Sequence, residues 1–110
     1  MTRSHVTTHV LDAATGRPVA GVAVVLLGPD GPIAEAVTDG DGRVERLGPD
    51  LLPAGVYELR LETGSHYDAL GVDHVHPRIT LHVRIDGDPG QHWHLPVLLS
   101  PFAFTTYRGS

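Results

Sequence analysis

The sequence predicts an all-β fold, a two-sheet β-sandwich of about eight short strands with one short helical segment. Apolar and polar residues alternate over residues 57–61 and 79–85, the pattern of strands with one face on a core and the other in water. Asp-Gly pairs at residues 30–31 and within 39–42 suit the positive φ angles of tight hairpins. Because 110 residues is the length of one such domain, we predict a single domain over residues 1–110.

Each strand is predicted from its own residues and from the turn that ends it. The first, residues 6–11, is β-branched and aliphatic and stops before the Thr-Gly-Arg-Pro turn at residues 15–18. Residues 22–27 are an apolar run typical of a buried strand. The other predicted strands are residues 33–38, 43–47, 57–61, 79–85, 92–100 and 102–107. The helical segment is predicted at residues 65–70.

Charge and composition exclude several classes of function. The formal net charge is −5, and the chain contains no cysteine. A negative balance argues against binding to nucleic acid or to an anionic membrane surface, since both select basic proteins. The longest apolar run, residues 22–27, is too short to span a bilayer, and the polar residues 1–5 do not resemble a signal peptide. We therefore expect a soluble cytoplasmic protein that binds neither nucleic acid nor membrane.

Four places in the sequence carry side chains suited to chemistry. His92 and His94 are two residues apart on a predicted strand, so their imidazoles point to the same face about 7 Å apart. Such a pair suits proton transfer or metal binding. His9 lies in the middle of the first strand, Arg43 directly follows an Asp-Gly turn, and the polar tail 107–110 follows the last strand.

Taken singly, each of these features has an ordinary structural explanation. A lone histidine in a strand is commonly a surface residue, and an arginine beside a turn is commonly a solvated charge. Asp39 and Asp41 resemble the start of a calcium-binding loop, but Arg43 stands where a third ligand is needed. We therefore interpret both aspartates as turn residues, and only the combination of features indicates a function.

In combination, these residues resemble one family, the 5-hydroxyisourate hydrolases, which are related to transthyretin. The resemblance covers nearly the whole chain and includes the His-Trp-His-Leu-Pro run that begins at His92. The C-terminal Tyr-Arg-Gly-Ser separates the hydrolases of this family from the hormone-carrying transthyretins. The remaining matches are His9, Thr15-Gly16-Arg17-Pro18, Thr38-Asp39, Asp41-Gly42-Arg43 and Gly55-Val56-Tyr57.

The resemblance implies a transthyretin-like (prealbumin-like) sandwich that assembles as a homotetramer. It also implies two sites in a central channel where dimers meet, with 5-hydroxyisourate as the small-molecule substrate and without a cofactor or a metal. Carried over position by position, the catalytic residues are His9, Arg43 and His94. The substrate-binding residues implied are His92, Tyr107, Arg108, Gly109 and Ser110.

The implied reaction is hydrolysis of the substrate's lactam ring in urate breakdown, for which we consider His94 or His9 as the base that activates water. Arg43 would stabilise the developing negative charge. Two alternatives stay open at this point. One is a non-catalytic transthyretin-like carrier of a small ligand. The other is a zinc site formed by His9, His92 and His94, since three histidines can hold zinc with an open position.

Overall fold

The computed structural model describes residues 3–110, so Met1 and Thr2 of the predicted polar N-terminus lie outside the described residues. Within that range it contains nine strands and one helix, α1 (Gly64–Leu70). The strands are β1 (Val6–Asp12), β2 (Arg17–Pro18), β3 (Ala23–Gly28), β4 (Gly31–Val37), β5 (Arg43–Val44), β6 (Gly55–Leu61), β7 (Ile79–Ile85), β8 (Trp93–Ser100) and β9 (Ala103–Thr106). None of the described helical residues belongs to a segment long and apolar enough to cross a membrane.

The strands form two sheets, as predicted. The first sheet has the order β2-β1-β8-β9, with β5 also paired to β1, and the second has the order β4-β3-β6-β7. β1 and β8 run parallel, whereas the other pairs are antiparallel. The parallel pair joins the two strands that carry the predicted histidines, although about 80 residues of chain separate them.

The core lies between the two sheets and is built from alternate positions of each strand. On β1 the inward side chains include Val6 and Val10, and on β8 they include Leu95 and Val97, all of them buried. Because side chains alternate in a strand, Thr7 and His9 of β1 face away from this core. The outer face of the first sheet is therefore where the polar residues of β1 and β8 meet.

Several strand bounds differ from the prediction by one or two residues: β4 begins at Gly31, and β8 begins at Trp93, one residue after His92. The two shortest strands differ most. Residues 15–18 are predicted as a turn, but Arg17 and Pro18 pair with the end of β1 after that turn. The strand predicted at residues 43–47 ends at Val44, because the chain then leaves β1. The buried Ser4 hydroxyl accepts a hydrogen bond from the Leu47 N–H at 2.7 Å, which takes the place of ladder pairing there.

The Asp-Gly turn before β5 fixes the start of that strand. The Asp39 carboxylate accepts hydrogen bonds from the N–H groups of Asp41 and Arg43, at 2.9 and 3.0 Å. Gly42 has a φ of 75°, which favours glycine, and a Cβ atom there would clash with the Val10 carbonyl oxygen. The aspartate oxygen is thus used within the turn, as the interpretation of Asp39 as a turn residue predicts.

A buried carboxylate anchors α1 to the end of β1. Asp12 is 3% exposed and accepts hydrogen bonds from the N–H groups of Ala14 and Thr15 and lies 3.0 Å from Nε2 of His66 on α1. Burial raises the pKa of the Asp12 carboxyl, but the hydrogen bonds from His66, Ala14 and Thr15 outweigh it, so the pKa lies below its ordinary value. The ionised carboxylate therefore stabilises the folded state.

Replacing Asp12 with asparagine should lower the free energy of unfolding at pH 7 by about 1.5–3 kcal/mol, the usual contribution of hydrogen bonds to a charged group. Because the folded pKa is depressed, this contribution is present above the ordinary carboxyl pKa of about 3.9 and is lost as the pH falls through the folded value. Urea unfolding of both proteins between pH 7 and 3 should show the difference shrinking. The exposed Asp73→Asn is the control and should change stability little at any pH.

Candidate active site

The candidate site is built on the outer face of the first sheet, where β1 and β8 lie side by side. In their parallel register Thr7 is paired with His94, and His9 is paired with Pro96. The same face carries Arg43, because β5 pairs with β1 on its other edge and places Arg43 opposite His9. Residues from three separate parts of the chain are thus held on adjacent strands.

The structure brings the three predicted catalytic residues together. The imidazoles of His9 and His94 are stacked, with ring centroids 6.5 Å apart and an angle of 28° between the rings. Both line an open groove of about 490 Å³. The residues lining it are His9, Arg43, His94, Pro96, Tyr107, Arg108, Gly109 and Ser110. Every predicted site residue except His92 therefore lines one groove.

The tail is fixed to the strand that carries His94. The N–H of Gly109 donates a hydrogen bond to the His94 carbonyl at 2.7 Å, which forms an isolated antiparallel bridge beyond the end of β9. A Cβ atom on Gly109 would lie 2.9 Å from Cδ2 of the His94 ring and 3.2 Å from Cγ of Pro96. Only glycine lets the backbone approach the imidazole this closely.

Arg108 secures the same tail through its guanidinium group. Its Nη2 atom donates to Oε1 of Gln91 at 2.8 Å and to the His92 carbonyl at 2.9 Å. The guanidinium carbon also lies 3.8 Å from the centroid of the Trp93 ring, a cation–π contact. Arg108 therefore holds the tail to β8, while Tyr107, 53% exposed, leaves its phenol accessible at the rim of the groove.

His92 is connected to the groove through a residue that the sequence analysis did not single out. The hydroxyl of Thr7 lies 2.9 Å from Nε2 of His92 and 2.8 Å from Nδ1 of His94. Thr7 is 3% exposed, so this hydroxyl is shielded from water. The signal in the sequence is its position two residues before His9, which places it on the same face of the strand.

The electrostatic surroundings favour neutral imidazoles. Burial, and then the positive charge of Arg43, lower the pKa of His94 below its ordinary value, and His9 and His92 lower it further. The pKa of His9 is lowered by burial and by Arg43, but a hydrogen bond to the Asp41 backbone and the Asp39 carboxylate oppose this. The pKa of His92 is also lowered, chiefly by burial. All three rings are therefore mainly neutral at pH 7.

The three-histidine zinc arrangement considered from the sequence is not formed in the described structure. Among residues 3–110, no group of three histidine, cysteine or acidic side chains is placed to hold a metal ion. The hydroxyl of Thr7 lies between His92 and His94 and occupies one nitrogen of each ring. The geometry instead suits a site that uses histidines for hydrogen bonding and proton transfer.

Comparison with known proteins identifies the family. A family model for transthyretin, described as the HIUase/Transthyretin family, matches residues 6–109. The chain belongs to the HIUase/Transthyretin family. The 5-hydroxyisourate hydrolase of Caulobacter vibrioides is 41% identical over 114 residues, covering 97% of this chain and 99% of that relative. The predicted family resemblance is thereby confirmed.

Solved structures of this family confirm the predicted transthyretin-like fold. The structure of Klebsiella pneumoniae 5-hydroxyisourate hydrolase matches with a TM-score of 0.86 at 39% identity, covering 96% of this chain and 98% of that one. Transthyretin from Sparus aurata matches with a TM-score of 0.88 at 30% identity, covering 97% of both chains. Since the fold fits both proteins equally well, the residues of the groove must distinguish their functions.

Proposed function

We propose that this protein hydrolyses 5-hydroxyisourate in urate catabolism, opening its lactam ring to 2-oxo-4-hydroxy-4-carboxy-5-ureidoimidazoline. The observation that carries the proposal is the convergence of His9, Arg43 and His94 with the tail 107–110 on one groove. Relatives with the name 5-hydroxyisourate hydrolase match nearly the whole chain at about two-fifths identity, which supports the same activity here.

His94 is our candidate for the base that activates water. Ring opening requires water to lose a proton as its oxygen attacks the lactam carbonyl carbon, and a neutral imidazole can accept that proton. Burial and the charge of Arg43 keep the pKa of His94 low, and its neighbours His9 and His92 act in the same direction. For His9, the carboxylates of Asp39 and Asp41 act in the opposite direction. His94 is therefore the more consistently neutral of the two groove histidines.

The same ring can complete the proton balance. When the carbon–nitrogen bond of the lactam breaks, the leaving nitrogen needs a proton, and the imidazolium formed on His94 can return the one taken from water. His9 is stacked beside His94 and is oriented by its hydrogen bond to the Asp41 backbone. We assign His9 to hydrogen bonding with the substrate.

Arg43 is our candidate for electrostatic stabilisation. Its guanidinium is always charged and carries several N–H donors in a planar fork, which suits an oxyanion or the edge of a purine-like ring. The turn before β5 holds its backbone, because the Arg43 N–H is bonded to the Asp39 carboxylate. Tyr107, Ser110 and the fixed backbone of Gly109 would complete the walls around the substrate.

The open shape of the groove supports an assembly in which a second chain covers it. The site residues lie on an exposed sheet face, and symmetric association of such faces creates an enclosed site. We propose a homotetramer with the sites at the interface between dimers, acting in the cytoplasm without a cofactor. Sedimentation velocity should give the mass of four 11.8 kDa chains. A monomer with full activity would contradict the shared site.

A transthyretin-like carrier of a small ligand is the alternative, since transthyretin from Sparus aurata shares the fold. The test is to generate 5-hydroxyisourate from urate, add the protein and follow the ultraviolet signal of the intermediate. We expect the signal to decay faster in proportion to enzyme concentration, and Arg43→Ala to remove most of the acceleration. Binding of 5-hydroxyisourate without any acceleration would overturn the proposal and favour the carrier.

Replacing Arg43 with glutamine should move the acidic limb of the pH–rate profile to higher pH. The wild-type limb should lie below the ordinary histidine pKa of about 6.5, because the base acts in its neutral form and its pKa is lowered. Removing the positive charge beside His94 removes one cause of that lowering, so the pKa rises and the limb follows it. Arg84→Gln on β7 of the other sheet, which is not among the groove-lining residues, is the control and should leave the limb in place. An unchanged limb in Arg43→Gln would contradict this electrostatic role.

A further inference from the structure

The buried hydroxyl of Thr7 is the direct link between two histidines of the site. It lies within hydrogen-bonding distance of Nε2 of His92 and of Nδ1 of His94, at 2.9 and 2.8 Å. His94 projects from the outer face of β8, His92 lies directly before that strand, and Thr7 reaches both rings from β1. The proposed chemistry does not use this hydroxyl directly, since Thr7 is not among the groove-lining residues.

The number of available hydrogen atoms limits the ways in which Thr7 can hydrogen-bond to the two imidazoles. A threonine hydroxyl has one hydrogen to donate, and a neutral imidazole has one N–H and one acceptor nitrogen. The Thr7 oxygen could accept from both rings only if its own hydrogen had a third partner, and none is found among residues 3–110. Thr7 therefore donates to one ring and accepts from the other. If His94 donates from Nδ1, then His92 accepts at Nε2 and carries its own hydrogen on Nδ1. If His92 donates from Nε2, then His94 accepts at Nδ1 and carries its hydrogen on Nε2.

The charge of Arg43 favours the first arrangement. Arg43 and His94 line the same groove, whereas Nδ1 of His94 is turned to Thr7. A cation on the groove side attracts the lone-pair end of a neutral imidazole and repels its N–H end. His94 is thus expected to direct Nδ1–H to Thr7 and the unprotonated Nε2 towards the groove.

We propose that Thr7 is a positioning residue that fixes His94 as the Nδ1–H tautomer, by accepting its N–H while donating to Nε2 of His92. The inference rests on the proposed role of His94 as the base and deepens it. A base must present a lone pair to the attacking water, and only this tautomer does so through Nε2. In histidine-based sites, a partner on the far nitrogen commonly sets the tautomer in this way.

The tautomer can be measured without any substitution. Nitrogen-15 NMR of the histidine-labelled protein at pH 8 distinguishes protonated from unprotonated ring nitrogens, and assigning the signals identifies His92 and His94. We expect Nδ1 to be protonated and Nε2 unprotonated in both rings. A wild-type His94 protonated on Nε2 would overturn the inference, whatever the activity of the protein.

Variants of Thr7 test the consequence for turnover. Thr7→Val removes the hydroxyl but keeps the shape, so the hydrogen of His94 should shift towards Nε2 and kcat should fall by about 10- to 100-fold. KM should change little, because Thr7 is not among the groove-lining residues. Thr7→Ser keeps the hydroxyl and should keep the wild-type tautomer and most of the kcat. A Thr7→Val protein with wild-type kcat would overturn the inference.

Thr8→Val is the matched control. Thr8 is equally buried on the same strand, but its hydroxyl faces inwards and donates to the Leu95 carbonyl at 2.7 Å. This variant should lose stability without changing the tautomer of His94. If the wild-type protein does not accelerate hydrolysis, the proposed function fails, yet the NMR result still decides how Thr7 arranges the two rings.

Discussion

Replacing His94 with alanine should lower kcat/KM for 5-hydroxyisourate hydrolysis by about 10²- to 10⁴-fold, the usual contribution of one general base. The fold should survive, because the His94 side chain lies on the outer face of β8. Its neighbours hold the strand in place, since Trp93 packs against the core and Leu95 is buried within it. The bridge to the tail should also survive, since Gly109 donates to the backbone carbonyl of residue 94. Steady-state kinetics and thermal unfolding of the same preparation measure both effects.

Two further variants make this result specific. His82→Ala changes a histidine on β7 whose side chain is 67% exposed and which is not among the groove-lining residues, and it should keep full activity. His9→Ala should reduce activity less than His94→Ala if His9 binds substrate and does not act as the base. The opposite order would transfer the role of base to His9. Near wild-type activity in His94→Ala would remove His94 from the mechanism altogether.

Most of the fold could be predicted from periodicity alone. The strand over Ile79–Ile85 has the predicted bounds, because strict alternation and buried alternate positions specify both its type and its limits. The helix at Gly64–Leu70 includes the predicted segment. The two-residue strands Arg17–Pro18 and Arg43–Val44 could not be given their bounds in this way. Their extent depends on where β1 offers free backbone groups, which is a tertiary property.

The same limit applies to the candidate site. Spacing predicted that His92 and His94 share one face of a strand; His94 lies on β8, whereas β8 begins at Trp93, one residue after His92. The two rings nevertheless meet at the Thr7 hydroxyl. Spacing could not show that β8 pairs in parallel with β1, which brings His9 beside them. That proximity was expected only from the family resemblance. Thr7 was missed because a threonine in a strand is ordinary, and its role depends on a neighbour about 85 residues away.

Replacing Gly109 in the tail with alanine should lower kcat/KM by about 10²-fold. A displacement near 1 Å of a group in an active site can reduce turnover by this factor. The new methyl group would lie 2.9 Å from the His94 ring and 3.2 Å from the rigid ring of Pro96. Either the tail leaves β8 or the imidazole rotates away from Thr7. Both outcomes disturb the groove while leaving the core between the sheets untouched, so stability should change little.

Gly40→Ala is the matched control for this change, because a Cβ there meets no atom within 4 Å and Gly40 does not have a positive φ. It adds the same methyl group in the turn before Arg43 and should leave kcat/KM near the wild-type value. Nitrogen-15 signals of His94 would show whether the ring or the tail moves in Gly109→Ala, since only ring rotation breaks the bond to Thr7. If Gly109→Ala is fully active, the closeness of the tail to His94 does not matter for turnover. The shape of the groove would then depend on Arg108 and its contact with Trp93 instead.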